Sequence, residues 1–181
     1  MAIFYISDTH FGHKNILKYD NRPYFTVAEM DADLIKRWNN AVKPTDTVYH
    51  LGDFSWLKPA EESEILQQLN GTKILIRGNH DYKPTAEWAE VLLFAEIVDN
   101  GRHVILSHFP IASYKNMTHG YYHLYGHVHN SFEDGLFDAY RRAWEKHYEK
   151  QMRSFNVGCM NPLMDYTPRT LDEIGNFCGW A

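Results

Sequence analysis

Five short stretches of this chain carry the residue types from which metal chemistry is made. Asp8 and His10 follow the apolar run "AIFYIS" (2–7), and Asp53 follows "TVYHL" (47–51). Asn79 and His80 follow "KILIR" (73–77), His108 follows "HVILS" (103–107), and His127 and His129 follow the strand-like segment 121–125. Carboxylate oxygen, amide oxygen and imidazole nitrogen, with no thiolate, suit borderline divalent ions: Mn²⁺ first, with Fe, Zn, Ni or Co as alternatives. Asp8, His10, Asp53, Asn79, His108, His127 and His129 are seven candidate ligands. They are too many for one such ion with an open position, and enough for two if one carboxylate bridges. Two ions roughly 3.5–4 Å apart stabilise the attacking and leaving oxygens of a displacement at phosphorus and generate hydroxide near neutral pH. The residue set asks for hydrolysis of a phosphate ester.

Taken singly, each residue has a plainer reading as a turn or capping residue, and "GNHD" alone is an ordinary Gly-Asn turn. The "GHVH" pair says more, because alternate residues of an extended segment point to opposite sides and can touch two different ions. Five such elements, each after an apolar strand, are hard to attribute to chance.

The surrounding pattern supplies elements to position them. The strands above alternate at first with helices expected over 26–42, where Thr26 and Glu29 form a capping box and Val27, Met30, Leu34 and Trp38 share a face, and over 59–71, with Gly71 at the C-terminal end. A shorter helix is expected over 85–93 and a hairpin over 96–108 with Asn100-Gly101 as its turn. A helix over 136–150, a strand over 154–158 and a short closing helix over 170–175 complete the chain. The expectation is one domain over residues 1–181 of α/β (α+β) class. In such sheets neighbouring strand ends meet in one crevice, where ligands bind.

Composition sets outer limits. Apolar residues make up 44% and the net charge is −5, from 18 Lys and Arg against 23 Asp and Glu, which speaks against an extended nucleic-acid surface. The start has no basic leader and no run approaches the roughly 20 apolar residues that cross a bilayer, so no membrane role is expected. Cys159 and Cys178 lack CxxC spacing and are expected to be free thiols in a cytoplasmic protein.

"DTH" (8–10), "GD" (52–53), "GNHD" (78–81), His108 and "GHVH" (126–129) match, in order, the pattern of the calcineurin-like metallophosphoesterases, and the chain resembles that family over about two thirds of its length. The resemblance implies two mixed β-sheets packed as a sandwich flanked by helices, a four-layer α/β/β/α fold. It implies one metal on Asp8, His10, Asp53 and His129, and another on Asp53, Asn79, His108 and His127, so that Asp53 bridges. His80 matches the histidine that contacts the phosphoryl group and protonates the leaving oxygen, with Asp81 as its orienting partner.

Other residues are expected to shape the substrate pocket. His13 and Arg22 are candidate phosphate contacts, alongside Asn79; Arg77 is read as a strand-end ion pair. Tyr140, Trp144 and Tyr148 make one helical face, read first as core packing and second as a stacking surface; His119 or His123 could approach a substrate from the loop before "GHVH", although loop histidines are usually just solvated. The function expected is a divalent-metal-dependent phosphodiesterase acting on a nucleotide or other small phosphodiester. The alternatives are a phosphomonoesterase or protein phosphatase, and a non-catalytic interaction scaffold; a scaffold would be expected to have lost some of the ligands or the acid.

Overall fold

Apolar runs with almost no polar interruption become inner parallel strands. The computed structural model, which describes residues 1–180, sets β1 (Ile3–Ile6), β2 (Thr47–His50), β3 (Thr72–Ile76) and β4 (Glu90–Leu92) side by side in parallel. The short β9 (Arg169–Thr170) pairs antiparallel with β1, giving the order β4-β3-β2-β1-β9. The second sheet has the order β5-β6-β7-β8, from β5 (Phe94–Asp99), β6 (Arg102–Ser107), β7 (Tyr122–Tyr125) and β8 (Ser154–Asn156), and only the β5–β6 hairpin is antiparallel. Its expected turn is present: Asn100 and Gly101 have φ of 49° and 81°, the left-handed pair of a two-residue type I′ turn.

The sheets face each other. Val104, Leu106, Tyr122 and Leu124 of the second sheet share one buried cluster with Val48 and Leu75 of the first, and Tyr5 on β1 donates to Asp99 on β5 at 2.9 Å. Helices α2 (Val27–Ala41) and α3 (Pro59–Gln68) add Met30, Leu34, Trp38 and Leu66 to that cluster. On the other side α4 (Phe132–Tyr148) closes a smaller cluster of Ile105, Tyr114, Trp144 and Met152. The expected four-layer sandwich of two mixed sheets with flanking helices is the fold. A short α1 (Ile16–Tyr19) and a closing α5 (Leu171–Cys178) complete it.

Local signals explain most boundaries. Thr26 accepts from the Glu29 N–H at 3.1 Å, while Glu29 reaches back to the N–H of Phe25, one residue earlier than a standard capping box. The helix expected over 85–93 does not form. There Leu92 pairs with Ile76 and Trp88 is buried in the main cluster, so edge pairing wins over a helix too short to be stable alone. Helix α3 stops at Gln68, and Gly71 instead turns the chain into β3 at φ 85°, where a Cβ would lie 2.9 Å from the Asp46 carbonyl. Helix α4 starts earlier than expected because Ser131 caps it, accepting from the Glu133 N–H.

Candidate metal centre

Register brings the polar loops together. Ile6 lies opposite His50 and His50 opposite Leu75, so β1, β2 and β3 end abreast and their loops leave on one side. Ser7 extends β1 to the second sheet, donating to the Val157 carbonyl at 3.0 Å and accepting from the Cys159 N–H at 2.9 Å. The ends of β6 and β7 therefore open beside those of β1 and β2. The chain then turns sharply: Asp8, His10, Asp53, His127 and His129 all have positive φ, between 48° and 70°. Non-glycine residues seldom adopt this left-handed conformation, and where they do Asp and His are enriched. Glycine is required where backbone meets ligand: a Cβ on Gly78 would lie 2.3 Å from an Asp53 carboxylate oxygen, and one on Gly126 2.5 Å from one of Asp8.

The result is two groups able to hold a metal ion: Asp8, His10 and His129, and Asp53, His108 and His127. His127 and His129 go to different groups, as the "GHVH" spacing suggested, but through left-handed turns rather than an extended strand. In the first group the Nε2 atoms of His10 and His129 approach to 3.3 Å, and His129 Nε2 is 3.5 Å from Asp8 Oδ1. In the second, His108 Nε2 is 3.5 Å from Asp53 Oδ2 and 3.0 Å from the Asn79 side-chain oxygen. The same Asp53 Oδ2 is 3.9 Å from His10 Nε2, so this carboxylate stands between the groups. His108 Nδ1 is 2.7 Å from the Leu51 carbonyl, an N–H donor position that leaves Nε2 turned to the centre. Burial lowers the pKa of His10 and of His127. Burial also acts on His108, but its contact with Asp53 and the charge of Asp8 outweigh it and raise the pKa to about 9.

Behind the ligands lies a layer that their types did not announce. Asp20 meets His129 Nδ1 at 2.7 Å and accepts from Arg22 through Nε and Nη2 at 3.1 and 2.9 Å. His50, fully buried, sits 2.9 Å from the Thr9 hydroxyl, which donates to the Phe54 carbonyl and so ties the Asp8 loop to the Asp53 loop. The free Cys159 thiol donates to the Asp8 carbonyl, and Cys178 is also unpaired with sulfur.

Two sequence expectations change, and one alternative is not taken up. Arg22 does not face the crevice: its guanidinium is buried and spent on the carbonyls of Asp8 and Thr9, both at 2.7 Å, on Met30 sulfur and on Asp20. It shapes the ligand loop and is not placed to touch phosphate. Asp81 does not orient the His80 ring, because its carboxylate accepts from the N–H groups of Asp53, Phe54 and Gly78 at 2.7–3.0 Å and so sets the bridging loop. His119 is exposed beside Thr118, and His123 is a buried strand residue bonded to Ser107 and Ser154, so neither reaches the centre. Arg77 is structural as expected, donating to the Asp81 carbonyl. Of the aromatic face on α4, Trp144 packs in the core and Tyr140 donates to the Ala112 carbonyl, so the helix buttresses a loop.

His10, His13, Asp53, Asn79, His80 and His129 line one crevice of about 940 Å³. His80 Nε2 lies 3.9 Å from Asp53 Oδ2, and its backbone N–H donates to Asp53 Oδ1 at 2.9 Å. The ring of Trp56 contacts both His13, stacked at 4.1 Å, and His80, tilted at 4.2 Å. Trp56 is a wall residue that nothing in the motif spacing singled out.

Residues 1–171 match the calcineurin-like phosphoesterase superfamily domain. The chain is 44% identical over 175 residues to the uncharacterized protein MJ1445 of Methanocaldococcus jannaschii, covering 95% of this chain and 88% of that one. It is 33% identical over 133 residues to the Gene 66 protein of Mycobacterium phage L5, covering 59% of this chain and 62% of that one. In structure it is similar to the protein of unknown function AQ665 from Aquifex aeolicus, with a TM-score of 0.72 and 27% identity over 97% of this chain and 98% of that one. With its two groups of metal-ligating side chains at the ends of a two-sheet sandwich, the chain belongs to the calcineurin-like phosphoesterase superfamily.

Proposed function

We propose that this protein is a phosphodiesterase that uses two divalent ions, Mn²⁺ foremost, to hydrolyse a nucleotide or other small phosphodiester. The observation that carries the reading is one atom: Asp53 Oδ2 lies within 3.9 Å of imidazole nitrogens from His10, His108 and His80. The residues fit cations. Two buried carboxylates and several imidazole nitrogens converge there, and His10 and His129 turn ring nitrogens toward each other at a distance that a shared cation makes favourable. Asp8, His10, His129 and Asp53 would hold one ion, and Asp53, Asn79, His108 and His127 the other. When bound, such ions supply positive charge to phosphate oxygens and acidify water.

The chain does the rest. Trp56 and the bond from its own backbone N–H to Asp53 fix His80 at the crevice wall, with Nε2 toward the centre. There it holds a proton for the departing oxygen, a role typically contributing roughly 10²–10⁴ in rate. His13, stacked on Trp56, and Asn79 line the same crevice and would contact phosphoryl oxygens there. A second cavity shares His80 and Trp56 with the crevice, and room for two ester substituents favours a diester over a monoester. The free thiols of Cys159 and Cys178 fit a cytoplasmic setting. Among the described residues no helix is long and apolar enough to cross a membrane.

Paired aryl phosphodiester and phosphomonoester substrates with Mn²⁺ test the reading. Faster diester turnover, abolished by Asp53→Asn, is expected. Faster monoester turnover would make the protein a phosphomonoesterase. No turnover of either ester with two ions bound would favour a scaffold.

A further inference from the structure

A second cavity, of about 480 Å³, adjoins the metal crevice and shares Trp56 and His80 with it. Its volume lies in the range of small-molecule sites. Its surroundings differ from the metal crevice in charge and in character. Lys58 and Lys83 stand at its edge, both exposed and neither in an ion pair among the described residues. Tyr82 is 73% exposed, and Trp56, with His13 and His80 against its ring, is still 46% exposed. The two carboxylates in the lining are already engaged: Glu62 accepts from Ser55 and from Trp88 Nε1, and Asp81 from three backbone N–H groups. The site therefore offers two exposed ammonium groups outside any ion pair beside aromatic surface, with its two carboxylates turned to other donors.

The position of His80 gives this cavity a purpose. A general acid must touch the departing oxygen, so the group attached to that oxygen lies on the acid's own side. His80 lines the second cavity as well as the crevice, so a group leaving from beside it has that adjoining space to enter. We infer that it receives the leaving half of the substrate and that this half is a nucleoside phosphate, its base on Tyr82 beside Trp56 and its own phosphate between Lys58 and Lys83. The inference rests on the phosphodiesterase reading and narrows it. Water forms the new P–O bond and the bond to the leaving half breaks, its electron pair passing to the departing oxygen. That oxygen takes the His80 proton, and the proton released from water restores the histidine. The products are a phosphomonoester and a nucleotide with a free hydroxyl.

The test uses the full chain, first with Mn²⁺ and then after chelation, with adenosine 5′-monophosphate, adenosine and inorganic phosphate as calorimetric probes. Binding of the nucleotide should survive chelation, because lysines and rings hold it. The double variant Lys58→Ala/Lys83→Ala should weaken the nucleotide at least about tenfold and adenosine far less, and Tyr82→Ala should weaken both by a similar factor. All three residues are exposed, so thermal melting should show the variants folded. In steady state the preference for a dinucleotide over a small aryl diester should fall in both variants. Nucleotide binding that disappears on chelation, or that the variants leave unchanged, overturns the inference while aryl diester turnover leaves the diesterase reading standing. Retained, variant-sensitive binding without diester turnover keeps the nucleotide site and removes its role as a leaving-group site.

Discussion

The two ligand groups have the same make-up, one aspartate and two histidines, and are held in different ways. Behind the first, a carboxylate backs an imidazole: Asp20 sits 2.7 Å from His129 Nδ1, and Arg22 clamps Asp20 and the carbonyls of Asp8 and Thr9. Behind the second, a peptide carbonyl does this work, with Leu51 accepting from His108, while the Asp53 loop hangs on Asp81 through backbone N–H groups. Both groups open to the crevice through one half-buried histidine, His129 in the first and His127 in the second, and the second adds the exposed Asn79. A carboxylate partner fixes the ring and raises its basicity more than a carbonyl does. On the proposed two-ion reading, the contrast would make an ion on the first group the more tightly held and one on the second the more exchangeable, with Asp53 common to both.

Removing the common member is the harshest way to break this picture. Asp53→Asn should lower metal affinity at both positions and turnover by at least about a hundredfold, the upper end of what even outer partners of a metal site contribute. Metal titration and ester hydrolysis on the same sample would check it. His80→Ala should follow, with turnover down roughly 10²–10⁴ and metal content near that of the parent protein; loss of metal would count against a purely catalytic role. Asp20→Asn sharpens the comparison, because it should weaken one ion about 10–100-fold and spare the other. Equal weakening of both would show that the groups are not independently supported.

Two further variants separate structural from substrate roles. Arg22→Met takes the guanidinium from a buried Asp20 and leaves it only the His129 ring, and breaking a buried pair in this way typically costs about 3–5 kcal/mol, visible as a fall in Tm. An unchanged Tm with a raised KM would return Arg22 to a phosphate contact. The smallest effect is expected at Asp31, whose carboxylate accepts from the Gly12 N–H at 3.2 Å. Burial raises its pKa to about 6 against this bond and the charge of Arg22. A carboxyl with a folded pKa above its unfolded value stabilises the fold when protonated, and that contribution fades as pH rises from about 4 through 6. Asp31→Asn should therefore flatten the dependence of Tm on pH across that window, leaving metal content alone.

What could be read from residues alone follows how local each signal is. Apolar runs ending in Asp, Asn or His reported β1, β2, β3, β6 and β7 and every member of the two ligand groups, because burial on both faces and a polar exit leave a pattern within a few residues. The hairpin turn was equally legible, since Asn100-Gly101 is nearly the only chemistry that fits it. Supporting residues were not. Arg22 has the right type for phosphate, but its use is decided by Asp8 and Thr9 carbonyls that only the fold places within reach. Asp20 lies two residues before it and carries no mark of its partnership with His129, 109 positions later. Asp81 follows His80 directly, yet a left-handed turn at Asp53 supplies the N–H it bonds. The segment 85–93 carries helical spacing that edge pairing with β3 overrides.

The central claim is that two ions, joined through Asp53, form a single working unit. The most direct measurement counts Mn²⁺ per chain during a titration of chelated protein while following aryl diester hydrolysis in the same sample. The account predicts two ions per folded chain, with turnover rising only as the second, weaker position fills. Full turnover with one ion per chain, or an Asp53→Asn variant that still binds two ions and hydrolyses the diester, would contradict it.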